Sequence, residues 1–434
     1  MFIFFALLFS LISLYMAFKC HDKFDPAKWF ILFWAGQIVF VYAIFHNQFQ
    51  FSGYGLVFIA MLCLTFSIGS LFGHFLGNKI PEENHEVSLN FKTALLFLQI
   101  SIVLALLNVV MSINANGFKL SELFSFQTLL ELNATATDAR YTTNVQSGIM
   151  NQFSLIFVYM SPLYGGYLLP LLSGRKRIWC YLSVLPALLI SLTQALKYSF
   201  IADVVLFIVG IAVSSYANNK DFFNVRKSTV LKSVFFSVLF LGLLFLSMLF
   251  RAGRFDAEIL EYMTQNFVNY AFGHLPAFDA WFTNNIGQLN PEGGIKTFYG
   301  ISNFLGLAER QQGIFNDFVY FGKSLSHQIP SDILGTNVYS LFRFLLEDFG
   351  FVGSFIMVFL TGILSGFSWL MVKRQKSSTF FQTILIAVFF STGMSFISSV
   401  WAYTSFIATV VMFYFVLSFS FSKQTDGIVA CQKA

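Results

Sequence analysis

"VFFSVLFLGLLFLSMLFRAGRFDAE", residues 234–258, carries no charge from Val234 to Phe250 and then stops on Arg251 and Arg254, one helical turn apart. Uncharged apolar runs of this kind recur along the chain. A helix crossing lipid needs roughly 20 consecutive apolar residues. The runs are long and unbroken, without the ten-residue alternation of a β-barrel, and in lipid each such segment must satisfy its own backbone hydrogen bonds. The fold class expected is therefore all-α: a polytopic α-helical integral membrane protein.

Composition points the same way. Of 434 residues 56% are hydrophobic, 59 are phenylalanine and 11% are charged, against about 25% charged in soluble domains. The net charge of +5 is spread over short loops and is read as an orientation signal, not as a nucleic-acid surface. No nucleic-acid partner is expected.

The runs predict eleven spans, at 2–18, 29–45, 56–77, 93–113, 152–172, 178–195, 200–216, 233–250, 349–372, 379–397 and 402–421. The N-terminal segment has no basic leader and no small-residue cleavage site, so it is read as a retained span. Alternate loops hold most of the basic residues: Lys19, Lys23 and Lys28; Lys79 and Lys92; Arg175, Lys176 and Arg177; Lys220, Arg226, Lys227 and Lys232; Lys373, Arg374 and Lys376. By the positive-inside rule these loops are cytoplasmic, with the N-terminus outside and the C-terminus inside. The domains expected are an eight-helix bundle, 1–250, with a medium outer loop at 114–151; a large outer loop, 251–348; three further helices, 349–421; and a cytoplasmic tail, 422–434.

The large loop is rich in Phe, Tyr and Trp, unlike a disordered connector. Ile259, Met263, Phe267 and Tyr270 fall at helical spacing, and an apolar-faced segment runs from Ile295 to Leu307. Its helices are expected to lie along the membrane surface. Cys20, Cys63, Cys180 and Cys431 all avoid the outer loops, so no disulfide framework is expected there.

Arg251 and Arg254 then sit at the outer boundary, against the usual charge bias. Each alone reads as a snorkelling anchor; as a pair on one face they suit the oxygens of a lipid-linked diphosphate. Acids outnumber bases across 251–348, so an anion site there is local and not a general basic patch. The stretch "GTNVYSLFRFLLEDFGFVG", residues 335–353, sets Tyr339, Arg343 and Glu347 at i, i+4 and i+8, with Thr336 and Asn337 before them and Asp348 after. Arg343 and Glu347 make either a surface ion pair or part of a site at the bilayer boundary. His274 and Asp279 are acid–base or structural candidates, and Lys197 with Asp203 flanks an outer turn. No Walker loop, G-x-G-x-x-G, H-E-x-x-H or D-x-D stands in the sequence, so no nucleotide, metal or other cofactor is expected.

With this layout, and above all with "TNVYSLFRFLLEDFGFVGSFIMVFLTGILSG" at 336–366, the chain resembles the O-antigen polymerase (Wzy) family of bacterial inner-membrane proteins. The match is to an Asn-Val-Tyr, an arginine a few residues on, then Asp-Phe-Gly and a glycine opening a helix. It carries over Asn337, Tyr339, Arg343, Asp348 and Gly350 as site or site-shaping positions. The resemblance implies a glycosyltransferase of polysaccharide and lipopolysaccharide biosynthesis. It would move a growing glycan from undecaprenyl diphosphate onto the next lipid-linked repeat unit at the periplasmic face. Donor, acceptor and bilayer are then the partners, with a chain-length regulator as a further candidate.

On that reading Arg251, Arg254 and Arg343 face the diphosphate, while Asp348, Glu347 and His274 compete as the base. Thr336, Asn337, Tyr339, Lys197 and Asp279 contact substrate, and Tyr262, Tyr270, Trp281, Tyr299 and Tyr320 are candidates to stack on sugars. Two alternatives remain open: an O-antigen ligase delivering glycan to a lipid A core, and a flippase for lipid-linked glycans.

Overall fold

The computed structural model describes residues 1–23, 25–81, 87–119, 149–194, 197–218, 257–308, 318–323, 333–337, 340–374 and 378–423, with single positions within 121–135 and 242–249. Apart from those single positions, the predicted span 233–250 falls outside the described residues, as do Arg251, Arg254 and Tyr339.

The described chain is mostly helical. Its first part holds α1 (Phe2–Cys20), α2 (Pro26–Phe45), α3 (Tyr54–Gly77), α4 (Phe91–Ala115), α5 (Ile149–Leu168), α6 (Arg177–Leu182), α7 (Leu185–Gln194) and α8 (Lys197–Ala217). Next come α9 (Ala257–Phe272), α10 (His274–Asn285) and α11 (Tyr299–Phe304), then α12 (Leu341–Arg374), α13 (Thr379–Met394) and α14 (Thr404–Ser420). Among the described residues seven stretches are long and apolar enough to cross a membrane, those of α1 to α4, α8 and α12 together with Gly174–Thr193. The protein is thus membrane-embedded and all-α in its body. The predicted spans at 152–172, 379–397 and 402–421 correspond to α5, α13 and α14; the last two are shorter apolar helices. The predicted span 178–195 is broken between α6 and α7 at Ser183 and Val184.

Local signals set the helix starts. Pro26 opens α2 behind Asp25, whose carboxylate accepts from the Ala27 amide at 2.8 Å, an N-cap with proline where no amide is needed. Gly53, at φ 87°, turns the chain into α3, a conformation that glycine adopts without strain.

Two tight helix pairs organise the bundle. At the crossing of α3 and α12 a Cβ on Gly73 would fall 2.2 Å from the Ile363 carbonyl oxygen, and one on Gly366 would fall 2.0 Å from that of Ser70. Between α5 and α8 a Cβ on Gly166 would meet the Phe207 carbonyl oxygen at 2.1 Å. In lipid there is no hydrophobic drive between helices, so close backbone approach through small residues supplies the contact energy. One core gathers α1, α2, α3, α10 and the first turns of α12. The other gathers α4, α5, α8, α13, α14 and the end of α12.

The loops sort to two ends. At one end, short strand β1 (Val87–Leu89) pairs antiparallel with the strand at Phe421–Lys423 that follows α14, and Arg374 donates to the carbonyls of Gly77, Asn78 and Ile80, capping α3. At the other, the hairpin of β2 (Val319–Lys323) and β3 (Ile333–Thr336) meets Phe49 through Gly322. There too the Asp279 carboxylate accepts from the amides of Ser52, Gly53 and Gly55. The expected basic loops that follow α3 and α12 meet at the first of these ends through Arg374, while the one with Lys220, Arg226, Lys227 and Lys232 lies outside the described residues.

Three expectations for 251–348 need correction. The segment contains a β-hairpin, which the helical periodicity did not foresee. The helix expected over 295–307 spans only Tyr299–Phe304. And α10 is no surface helix: His274 to Asp279, with Trp281 and Phe282, are all buried, because the helix is inserted against α2 and α3 and packs on Trp34, Phe58 and Phe342.

Candidate functional site

The polar residues of the hairpin end converge where α12 begins. Residue 350 breaks the helix: Gly350 has φ 66° and ψ −170°, values that only glycine takes without strain. The break lies just after Glu347 and Asp348, whose carbonyls accept bonds from outside the helix. These carbonyls accept from the amides of Glu292, at 3.1 Å, and Gly293, at 2.9 Å. The Pro291–Gly294 turn is thereby pinned to the first turns of α12, and this brings Lys296 onto the face that carries Arg343 and Glu347.

The resulting cluster is closely knit. Arg343 Nε donates to Glu347 Oε1 at 2.8 Å, and Lys296 Nζ donates to Glu347 Oε2 at 2.5 Å and to Glu292 Oε1 at 2.7 Å. The guanidinium lies 4.9 Å from the Trp281 ring centroid, a cation–π distance. Burial draws the Lys296 ammonium down, but Glu292 and Glu347 outweigh it and hold its pKa above the usual lysine value. Beside the cluster is a cavity of about 340 Å³, walled by Trp281, Glu292, Lys296, Arg343 and Glu347 and by the residues Asn285, Gln288 and Asn290.

The other predicted residues fare differently. Asp348 is buried and serves the fold: one oxygen accepts the Lys296 amide at 3.0 Å and the other the Thr297 amide. His274 is sealed in the core, its Nε2 2.7 Å from Gln37 Oε1 and its ring against Trp34. Burial pushes its pKa down to about 3. Asp279 is spent on the three amides that open α3. Thr336 is buried in β3 and Asn337 is exposed after it; neither walls the cavity, nor does His274, Asp348 or Asp279. Lys197 starts α8, and its side chain is outside those described. Of the three base candidates, Glu347 reaches the cavity; of the stacking candidates whose side chains are described, Trp281 does.

Lys296, Glu292 and the three amides escaped notice as site residues, being separated from Arg343 by some fifty positions. The "NPEGG" turn was their one local signal. A second polar cluster at the opposite end was also missed. There His21 Nδ1 lies 2.6 Å from Asp25 Oδ2, His21 Nε2 lies 2.7 Å from Ser67 Oγ, and His74 Nε2 lies 3.4 Å from the same Asp25 oxygen, with His21 and Asp25 buried.

No family model matches the chain, and neither a curated protein nor a solved structure matches it.

Proposed function

We propose that the protein is a glycosyltransferase of the bacterial inner membrane that polymerises lipid-linked oligosaccharide repeat units at the periplasmic face. The observation that carries this is the cavity at the hairpin end, where two carboxylates, two cations, three amides and a tryptophan meet beside a membrane bundle. In the transfer, the acceptor hydroxyl oxygen bonds to the anomeric carbon of the donor sugar as that carbon's bond to the diphosphate breaks. Undecaprenyl diphosphate leaves with the electron pair, and the acceptor proton passes to a base. Glu347 takes that proton, with Arg343 and Lys296 holding its two oxygens in place. Arg251 and Arg254 face the diphosphate and steady the charge it gains. The donor is already activated, so the chemistry asks nothing of a nucleotide.

The test is a deletion strain complemented with Glu347→Gln, Arg343→Ala, Arg251→Ala or Arg254→Ala, scored for long-chain polysaccharide on gels at matched protein level. Single repeat units on the core in the deletion strain fit a polymerase; a bare core would make the protein the ligase instead. Full ladders from all four variants would overturn the assignment of residues.

The His21–Asp25–His74 cluster, in which His21 and Asp25 are buried, favours a second reading, proton-coupled movement of lipid-linked glycans, because ionisable groups among spans commonly serve proton relays. Reconstituted protein that moves a labelled lipid-linked glycan across a vesicle membrane under a pH gradient would establish it.

A further inference from the structure

We infer that the cavity beside Trp281 is a subsite for an uncharged sugar ring and excludes the diphosphate; this rests on the glycosyl-transfer reading above. The charges that wall it cancel. Arg343 and Lys296 bring two positive charges, Glu347 and Glu292 two negative, and each cation already has a carboxylate within hydrogen-bond distance. A diphosphate entering here would have to displace Glu347 or Glu292 from Lys296, leaving a carboxylate unpaired in a half-buried setting, which costs more than a surface contact returns. The arrangement therefore offers no net attraction to an anion that a lone Arg343 would have drawn in.

What it suits is a ligand whose groups both donate and accept. Asn285 turns its Nδ2 to the Trp281 carbonyl at 2.8 Å and so keeps its carbonyl oxygen for another donor. Gln288 and Asn290 are exposed amides at the mouth, and each amide offers two donors and an acceptor. Sugar hydroxyls match that alternation. The volume, about 340 Å³, lies at the small end of ligand pockets, which run about 300–1,000 Å³. Diphosphate recognition then falls to other residues, and Arg343 becomes a positioning residue that holds Glu347 and covers the Trp281 face.

The inference is tested on the full-length protein in nanodiscs by saturation-transfer NMR. The probes are methyl glycosides of neutral hexoses and N-acetylhexosamines at millimolar concentration, with inorganic diphosphate as competitor. Binding of at least one glycoside, weakened tenfold or more in the Gln288→Ala/Asn290→Ala double variant and unchanged by diphosphate, is the result expected. Both positions are exposed, so an unaltered melting temperature will confirm that the variant is folded. Displacement by diphosphate, wild-type binding by the double variant, or no binding across the panel would each overturn the inference. The transfer reading fails separately: glycoside binding that meets these criteria alongside full ladders in the uncomplemented deletion strain would leave a sugar site and remove the polymerase.

Discussion

Asp279 Oδ1 accepts the Gly55 amide at 2.7 Å, closing 224 positions of chain, and its other oxygen accepts the amides of Ser52 and Gly53 at 2.6 and 2.9 Å. The first amides of a helix have no partner within it, so a carboxylate from α10 caps α3 from outside. Asp279→Ala should cost about 3 kcal/mol, the scale of losing buried charge-assisted bonds, and Asp279→Asn about half as much. Thermal unfolding in detergent measures both. Equal stability of Asp279→Ala and wild type would show that this contact does not hold α10 to the bundle.

The Gly366 position has no room for a side chain. Gly366→Leu should force α3 and α12 apart, at about 1–3 kcal/mol or more for overpacking. Gly242, whose added Cβ would meet nothing within 4 Å, makes the control: Gly242→Ala should express like wild type. Comparing yields of the two folded proteins decides the matter.

Removing Lys296 leaves Glu347 with Arg343 alone. Because the pair is partly exposed, the stability loss from Lys296→Ala should be small, about 1 kcal/mol after allowance for solvent screening, while glycan polymerisation should fall at least tenfold. Polymer length on gels and unfolding of the purified variant separate the two effects. A large loss of stability with normal polymer would assign Lys296 to the fold alone.

His274 confers an acid sensitivity whose sign is fixed. Its folded pKa is near 3, below the ordinary histidine value of about 6.5. The unfolded chain therefore takes up a proton first, and stability is lost as pH falls from about 6.5 towards 3, by about 2 kcal/mol at pH 5 at 1.36 kcal/mol per unit. His274→Gln should flatten the melting-temperature profile between pH 7 and 5. An unchanged slope would place the acid sensitivity elsewhere.

Asp25 holds both histidines and also caps α2 through the Ala27 amide. Asp25→Ala should therefore destabilise more than His21→Ala, by about 1 kcal/mol for the lost cap. Chemical denaturation of the two variants ranks them.

Membrane embedding and helical class were legible because apolar runs of spanning length have no other stable home. That the loops after α3 and α12 belong together was legible in their shared lysine and arginine content. Arg343 with Glu347 could be seen as a pair because helical spacing alone puts i and i+4 side by side. His274 and Asp279 looked equally promising in the sequence. Nothing local shows that α10 is inserted against α2 and α3, which turns a histidine into a core residue and an aspartate into a helix cap.

Sequence alone thus determined the solvent this chain folds in, the helices that result and the pair Arg343–Glu347, all consequences of period and hydropathy within one segment. Tertiary structure decided which of the candidate carboxylates meets the cavity, Glu347, and which two are consumed by backbone amides. It also brought Lys296, Glu292 and Trp281 to Arg343. These outcomes depend on the break at Gly350 and on where two distant segments dock, and a hydrogen bond between residues fifty or two hundred positions apart leaves no mark on the spacing of either.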